Sequence, residues 1–428
     1  MMDANVSSVL VVRPVGPLAG RVVAGGAKNS ALKLMAACLL AEGRHVLEGV
    51  PRITDVDIMA ELLEQMGARV ERAAGGSDLV IDVTGDLRPE PPYDLVEKMR
   101  ASVVVLGPLL GRCGYARVPM PGGDDFGERP IDIHIEALSN LGVAFSMADG
   151  YVEGRVTQAR LDGTRVSLAY PSHTATDNIL MASVLARGRT VIENAAREPE
   201  VVDLVNMLIS MGAQISGAGT SRIVVDGVEK LEPARHRVIP DRIVAATFLA
   251  ATAICGGDVT VVDARAEHME MFLRKLAAMG VQIERGEGGL RAVSRSRPSS
   301  VDVATLPYPG VATDYAPLIV AILSRANGVG IVSENLFPGR FRYMDELRKL
   351  GADISNEGYH AVVRGVDRLR SAHVAAPDLR GGAALVLAGL AADGETVVSG
   401  VEHIDRGYED LEGKLVALGG ARVERIIP

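Results

Sequence analysis

The sequence predicts an α/β protein of six similar units, grouped as two domains of three, with helices buried inside and strands covering them. Three observations carry that expectation. Helices that lack a polar face recur along the chain. Amphipathic helices closed by an apolar residue and a glycine recur between them. A β-like run follows each glycine.

The amphipathic copies read LLEQMGARV, ALSNLGVAF, MLISMGAQI, KLAAMGVQI, ELRKLGADI and KLVALGGARV, with their glycines at Gly67, Gly142, Gly212, Gly280, Gly351 and Gly419. The spacing is roughly 70 residues, longer than the common solenoid periods. Glycine there suits a positive-φ residue that closes a helix. In the first copy Ile58, Met59, Leu62, Leu63 and Met66 form one apolar stripe. The all-apolar copies begin KNSALKLMAACLL, RASVVVLGPLLG, SHTATDNILMASVL, DRIVAATFLAATAIC, TDYAPLIVAILS and LRGGAALVLAGL. A helix with no polar face belongs in a core. Six such units exceed one comfortable core, so two domains of three follow, and Pro240-Asp241 at the head of the fourth unit is the natural crossing point.

The 428-residue chain is 48% hydrophobic and carries a net charge of −9, from 45 Lys+Arg against 54 Asp+Glu. That balance argues against general nucleic-acid binding, which wants a basic face. Aromatics are 4% and Trp is absent, so stacking platforms for single strands are not expected. Cys38, Cys113 and Cys255 lie in or beside apolar runs with no Cys-x-x-Cys pair, which reads as buried thiols in a reducing compartment. The eight histidines show no metal-ligand spacing. The N-terminus has no signal-peptide pattern. The uncharged run Ile243 to Gly257 is shorter than the ~20 residues that span a bilayer. A cytoplasmic location is the expectation.

The chemistry gathers at the starts of the apolar helices. Lys28 and Asn29, Arg100, Ser172 to Thr174, Asp241 and Arg242, Thr313 and Asp314, and Asp378 and Arg380 all stand there. A helix N-terminus exposes unpaired N–H groups and about half a positive charge, and so favours anions. Capping accounts for Ser172, Thr313 and Asp378. It does not account for Lys28, Arg100 or Arg380, since a cation at that end is opposed by ~0.3–1 kcal/mol when exposed. Three such cations imply a gathered positive potential for a strongly anionic ligand. A separate stretch, VPMPGGDDFGERPIDIH from Val118 to His134, is turn-rich enough for a mobile lid over about 118–130 and carries Asp124, Asp125, Glu128 and Arg129. It reads either as a solvated acidic turn or as carboxylates for acid–base work. The Gly-rich pieces match neither a phosphate loop nor a dinucleotide fingerprint.

Read together, GGAKNSAL, MRAS, PGGD with the following G.RP.D.H, ENAAREPE, PDRI, TD, GRF, DLR and HIDRGYE resemble, in order and nearly end to end, the enolpyruvyl transferases. The resemblance implies a two-domain inside-out α/β barrel of six βαβαββ pseudo-repeats, one domain over 28–239 and the other over 1–27 plus 240–428, closing over a cleft. It implies transfer of the enolpyruvyl group of phosphoenolpyruvate to the 3-hydroxyl of UDP-N-acetylglucosamine with release of phosphate, and no cofactor or metal. Matching motif positions, Lys28, Arg129, Arg340, Arg380 and Arg406 would hold phosphoenolpyruvate. Asn29, Arg100, Arg129, Pro130, Asp132, Ser172, Thr313, Asp314 and Leu336 would line the sugar-nucleotide side. Asp124, Asp314, Lys28 and Arg406 would serve the chemistry, with Asp314 as the base.

The chain departs from the family pattern at three places. Asp124 stands where many members carry cysteine, and a carboxylate is a poor target for epoxide alkylation, so resistance to fosfomycin is expected. His173 and Thr174 replace Val-Gly after Ser172, either as tolerated drift or as a new donor. Gly381 and Gly382 replace Ala-Ser after Arg380, which is expected to loosen the helix start. Two other readings stand beside the main one: an enolpyruvyl transferase for another uridine nucleotide in secondary metabolism, and a non-catalytic nucleotide-sugar sensor.

Overall fold

The computed structural model describes residues 8–14, 16–73, 75–120, 131–337 and 339–427. The chain divides into two compact units: one comprises the described residues between Gly26 and Ile239, the other those up to Gly25 and from Pro240 onward.

In the first unit the core helices are Lys28–Ala37, Leu106–Cys113 and His173–Ser183. Leu106–Cys113 packs on His173–Ser183, and the 3-10 segment Arg100–Val105 joins both to Lys28–Ala37. The approach is close: a Cβ on Gly107 would lie 2.4 Å from the Asn178 carbonyl oxygen, so only glycine fits there. In the second unit Arg242–Cys255, Ala316–Leu323 and Leu379–Leu390 pack on one another, and all twelve residues of the last are buried. Each large aliphatic side chain so buried contributes about 1.5–3 kcal/mol.

Two of the expected helices start differently from the sequence reading. Arg100–Val105 and Thr313–Tyr315 are 3-10 turns, and the α-helices begin at Leu106 and Ala316. Pro108 and Pro317 then fall in a first α-helical turn, where the missing N–H has no intrahelical partner to lose.

The strands form small open sheets around these helices. Among the described residues six sheets have three or four strands, three sheets per unit, and none closes into a barrel. The recurring order is set by one connection. A strand leads into a core helix and runs parallel to the strand after it; an outer helix and a hairpin then add two antiparallel strands. In the second unit Val303–Ala304 pairs parallel with Val329–Ser333, which pairs antiparallel with His360–Arg364, itself flanked by Asp353–Glu357. The outer helices, such as Arg342–Lys349, turn Tyr343, Met344 and Leu347 inward and leave charged residues outside. All six helix-closing glycines have positive φ, between 62° and 105°.

Each unit closes on itself by borrowing distant strands. Arg235–Arg237 pairs parallel with Gly43–Glu48 in the first unit. In the second, Leu18–Val23 pairs parallel with Gly257–Val262, and Val9–Arg13 lies between Thr396–Ser399 and Arg422–Ile426. The N-terminal strand is therefore central in its sheet, with Leu10 and Val12 fully buried. Leu10→Ala should lower stability by about 2–5 kcal/mol, the usual cost of a large-to-small core change. A urea titration checks it, with the loss appearing in the unit formed by the chain's two ends.

Candidate functional site

In the unit containing the C-terminus, the mouths of the three core helices come together. Arg340 Nη2 donates to Asp314 Oδ1 at 2.6 Å, and its Nη1 donates to Thr313 Oγ1 at 3.0 Å. Arg380 Nε lies 3.9 Å from the same Asp314 oxygen. Arg242 Nη1 donates to the Tyr315 hydroxyl at 3.3 Å. The Arg380 guanidinium stands 5.2 Å over the Tyr408 ring, whose hydroxyl is 2.8 Å from Thr247 Oγ1. Arg380, Arg340 and Arg242 are only 2%, 4% and 7% exposed. Burial works to raise the Asp314 pKa, but Arg340, Arg380 and Arg242 outweigh it and hold the carboxylate well below its ordinary range.

The helix starts explain how these cations are held. Asp241 Oδ1 accepts from the N–H groups of Ile243 at 2.7 Å and Val244 at 3.0 Å, and Asp378 Oδ1 from those of Arg380 at 2.9 Å and Gly381 at 2.8 Å. An aspartate cap therefore precedes Arg242 and Arg380. Thr313 is not a cap: Ala312 occupies that position, and the Thr313 hydroxyl donates to Glu334 Oε2 at 2.8 Å instead. The glycine pair after Arg380 does not loosen the helix start. A Cβ on Gly382 would meet Ile404 at 2.7 Å and Ala376 at 2.8 Å, so the pair lets the mouth pack tightly. Arg406 caps the C-terminus of Val401–Asp405, which packs on Leu379–Leu390. Leu336 donates its N–H to Glu334 Oε1 at 2.9 Å.

In the other unit Lys28 begins its helix, 8% exposed, with Nζ 2.6 Å from Asp55 Oδ2. Asp55 lies in the first turn of Thr54–Gln65, where the helix dipole favours a carboxylate. Half-buried Asn29 is beside Lys28. One turn further, buried Lys33 reaches Asp177 Oδ2 at 2.7 Å and His173 Nε2 at 2.8 Å. Burial pushes the Asp177 carboxyl up to about 6 although Lys33 favours its charged form. His173 thus accepts the Lys33 hydrogen at Nε2, which accounts for a residue the sequence left open between drift and a new donor. Ser172 caps this helix through the Ala175 N–H. Arg100 is half-buried near His134, and Asp132 starts Asp132–Asn140 with its side chain exposed. Asp124, Arg129 and Pro130, with most of the expected lid, lie outside the described residues.

Sequence reading missed Asp55, Glu334 and the Lys33–Asp177 pair. The pair left a signal: one charged residue inside each of two otherwise apolar helices calls for a buried partner. Glu334 left none, being an ordinary glutamate just past a strand. Cys38 is buried and its thiol pushed up by burial, whereas Cys113 and Cys255 are half-buried rather than fully enclosed.

Six repeats around apolar helices define an α/β class in which the buried cations gather at the ends of the core helices. The particular family comes from comparison. The model described as EPSP synthase (3-phosphoshikimate 1-carboxyvinyltransferase) matches residues 12–415, and the chain belongs to this family of carboxyvinyl transferases. It is similar to the UDP-N-acetylglucosamine 1-carboxyvinyltransferase of Nocardia farcinica (strain IFM 10152), with 49% identity over 96% of each chain. The protein of that name from Anaeromyxobacter sp. (strain Fw109-5) is 50% identical over 96% of this chain and 97% of its own. The enolpyruvyl transferase NikO from Streptomyces tendae superposes with a TM-score of 0.87 at 25% identity, covering 98% of this chain and 99% of that one. No helix among the described residues is long and apolar enough to cross a membrane.

His134 supplies a pH test of this site. Its Nδ1 lies 2.9 Å from Asn178 Nδ2 and its Nε2 3.2 Å from Thr174 Oγ1. Burial, with Arg100 nearby, lowers its pKa to about 4. A lowered folded value means that the unfolded chain binds the proton more tightly, so this contribution is full above pH ~6.5 and is lost as pH falls toward 4, by about 3 kcal/mol. The imidazole resonances of His134 in an NMR titration should move near pH 4; a midpoint near 6.5 contradicts the buried neutral ring.

Proposed function

We propose that the chain transfers the enolpyruvyl group of phosphoenolpyruvate to the 3-hydroxyl of UDP-N-acetylglucosamine and releases phosphate, the first committed step of peptidoglycan synthesis in the cytoplasm. The observation that carries this reading is Arg380. It is 2% exposed at a helix mouth, its Nη1 has no hydrogen-bond partner among the described residues, and it shares the Asp314 carboxylate with Arg340 and Arg242. Burying guanidinium groups is costly unless anions compensate them. A three-carbon substrate bearing a phosphate and a carboxylate matches that need, and arginine's planar fork suits both groups. The acceptor is supported by relatives of 44–50% identity that carry its name.

In this reading Lys28, Arg129, Arg340, Arg380 and Arg406 hold phosphoenolpyruvate. Asn29, Arg100, Arg129, Pro130, Asp132, Ser172, Thr313, Asp314 and Leu336 serve the sugar nucleotide. The enol C3 gains a proton, with Asp124 as the donor, and C2 becomes electrophilic. The sugar hydroxyl attacks C2 as Asp314 takes its proton. The tetrahedral adduct then loses a C3 proton and expels phosphate. The depressed pKa of Asp314 keeps the base ionised at neutral pH, while the cations stabilise the charge on the departing phosphate. We also read each unit as an inside-out barrel, helices within and sheets without, with the domain boundaries near 28 and 239.

Phosphate release should be fast with UDP-N-acetylglucosamine and negligible with UMP or shikimate 3-phosphate; the reverse ranking sinks the acceptor assignment. Asp314→Asn should lower kcat about 10²–10⁴-fold, the usual worth of a placed base, and should also lower the thermal midpoint, because it removes the charge that faces buried Arg340 and Arg380; an unchanged kcat excludes Asp314 as the base. Fosfomycin should leave the wild-type chain active, whereas Asp124→Cys should show time-dependent inactivation by the drug. Inactivation of the wild type at micromolar drug would refute the resistance.

A further inference from the structure

Glu334 has no role in any of the assignments above, yet it is the most heavily used carboxylate around Asp314. It is 1% exposed and lies just past the strand Val329–Ser333. Oε1 accepts from Thr305 Oγ1 at 2.8 Å, from the Leu336 N–H at 2.9 Å and from the Phe337 N–H at 3.1 Å. Oε2 accepts from Thr313 Oγ1 at 2.8 Å. The Thr313 oxygen in turn accepts from Arg340 Nη1, whose other nitrogen Nη2 grips Asp314. A single carboxylate thus ties together the strand before Arg340, the turn that carries Leu336, and the helix mouth that carries Asp314.

We propose that Glu334 is a positioning residue for the reaction: through Thr313 it sets the orientation of the Arg340 fork and, with it, the placement of the Asp314 carboxylate. Arg340 has a long, flexible stem, and these contacts fix the two terminal nitrogens of its fork. Thr313 Oγ1 has one hydrogen, and donating it to Glu334 leaves the oxygen's lone pairs turned toward Arg340. Without an acceptor at Glu334 Oε2, that hydrogen is free to rotate into the space where Arg340 donates. The inference rests on the reading of Asp314 and Arg340 given above and deepens it. It also explains why a loop next to the site contains a buried acid that touches no expected substrate atom.

Glu334→Gln preserves volume and leaves one oxygen for the Leu336 and Phe337 N–H groups, but presents an amide donor to Thr313. It should reduce kcat with phosphoenolpyruvate and UDP-N-acetylglucosamine about tenfold while the thermal midpoint moves by only a few degrees. A double-mutant cycle with Arg340→Lys separates positioning from general damage, since residues that act through one another are not additive. The double variant should be no slower than Arg340→Lys alone. Additive losses, or an unchanged kcat in Glu334→Gln, overturn the proposal. If the wild type releases no phosphate with this acceptor, the functional reading fails by itself. The same cycle is then read from calorimetric binding of phosphoenolpyruvate, where Glu334→Gln should weaken affinity about tenfold and add nothing in the Arg340→Lys background. Unchanged affinity in Glu334→Gln, or no binding of phosphoenolpyruvate by the wild type, also overturns it.

Discussion

Everything in this molecule follows from helices that have no polar face. Such a helix can only be buried, so its unsatisfied backbone groups and its dipole meet polar chemistry at the two ends alone. The two ends are treated differently. At the C-terminal ends, arginines donate to orphan carbonyls: Arg112 to Leu39 at 2.8 Å, Arg160 to Leu185 at 2.8 Å and Arg325 to Ile254 at 3.2 Å. Hydrogen bonding and the dipole both favour a cation there, so stability alone explains those residues.

At the N-terminal ends the dipole opposes a cation, and there the structure has to supply the compensation. It does so with carboxylates of two kinds. Asp241 and Asp378 cap the helices that Arg242 and Arg380 enter, a contribution of about 0.5–2 kcal/mol that outweighs the dipole's ~0.3–1 kcal/mol against each neighbouring cation. Asp55 and Asp314 instead face the cations directly, at 2.6 Å from Lys28 Nζ and 2.6 Å from Arg340 Nη2. The mouths are therefore dense in both signs of charge. Cations stay there because acids hold them, and among the described residues Arg380 Nη1, like Arg340 Nε, is a buried guanidinium nitrogen with no hydrogen-bond partner, which marks where the internal compensation ends.

The same division explains why glycine pairs and prolines sit where they do. Gly107 and Gly382 let core helices approach a neighbour's backbone or side chain, whereas Pro108 and Pro317 stand in first helical turns, where no backbone hydrogen bond is lost. Close packing and charged helix mouths are consequences of one choice: helices inside, sheets outside, with the working groups confined to helix ends.

How much of this was legible depended on range. Periodicity and the recurring glycines determined the six units and the buried helices, though not the 3-10 turns that precede Leu106 and Ala316, because each follows from residues within a few turns of one another. The cations at the mouths were visible for the same reason. Only the tertiary structure decided which acid faces which cation. Asp55 meets Lys28 across 27 residues and Asp314 meets Arg340 across 26, while Glu334 reaches Thr305 and Thr313 across 29 and 21. It also decided that Val9–Arg13, first along the chain, lies in the middle of a sheet built from its end. Hydrophobic pattern is a local property of a helix or strand, but the balance of buried charge is settled between elements, where distance in space and distance along the chain are unrelated.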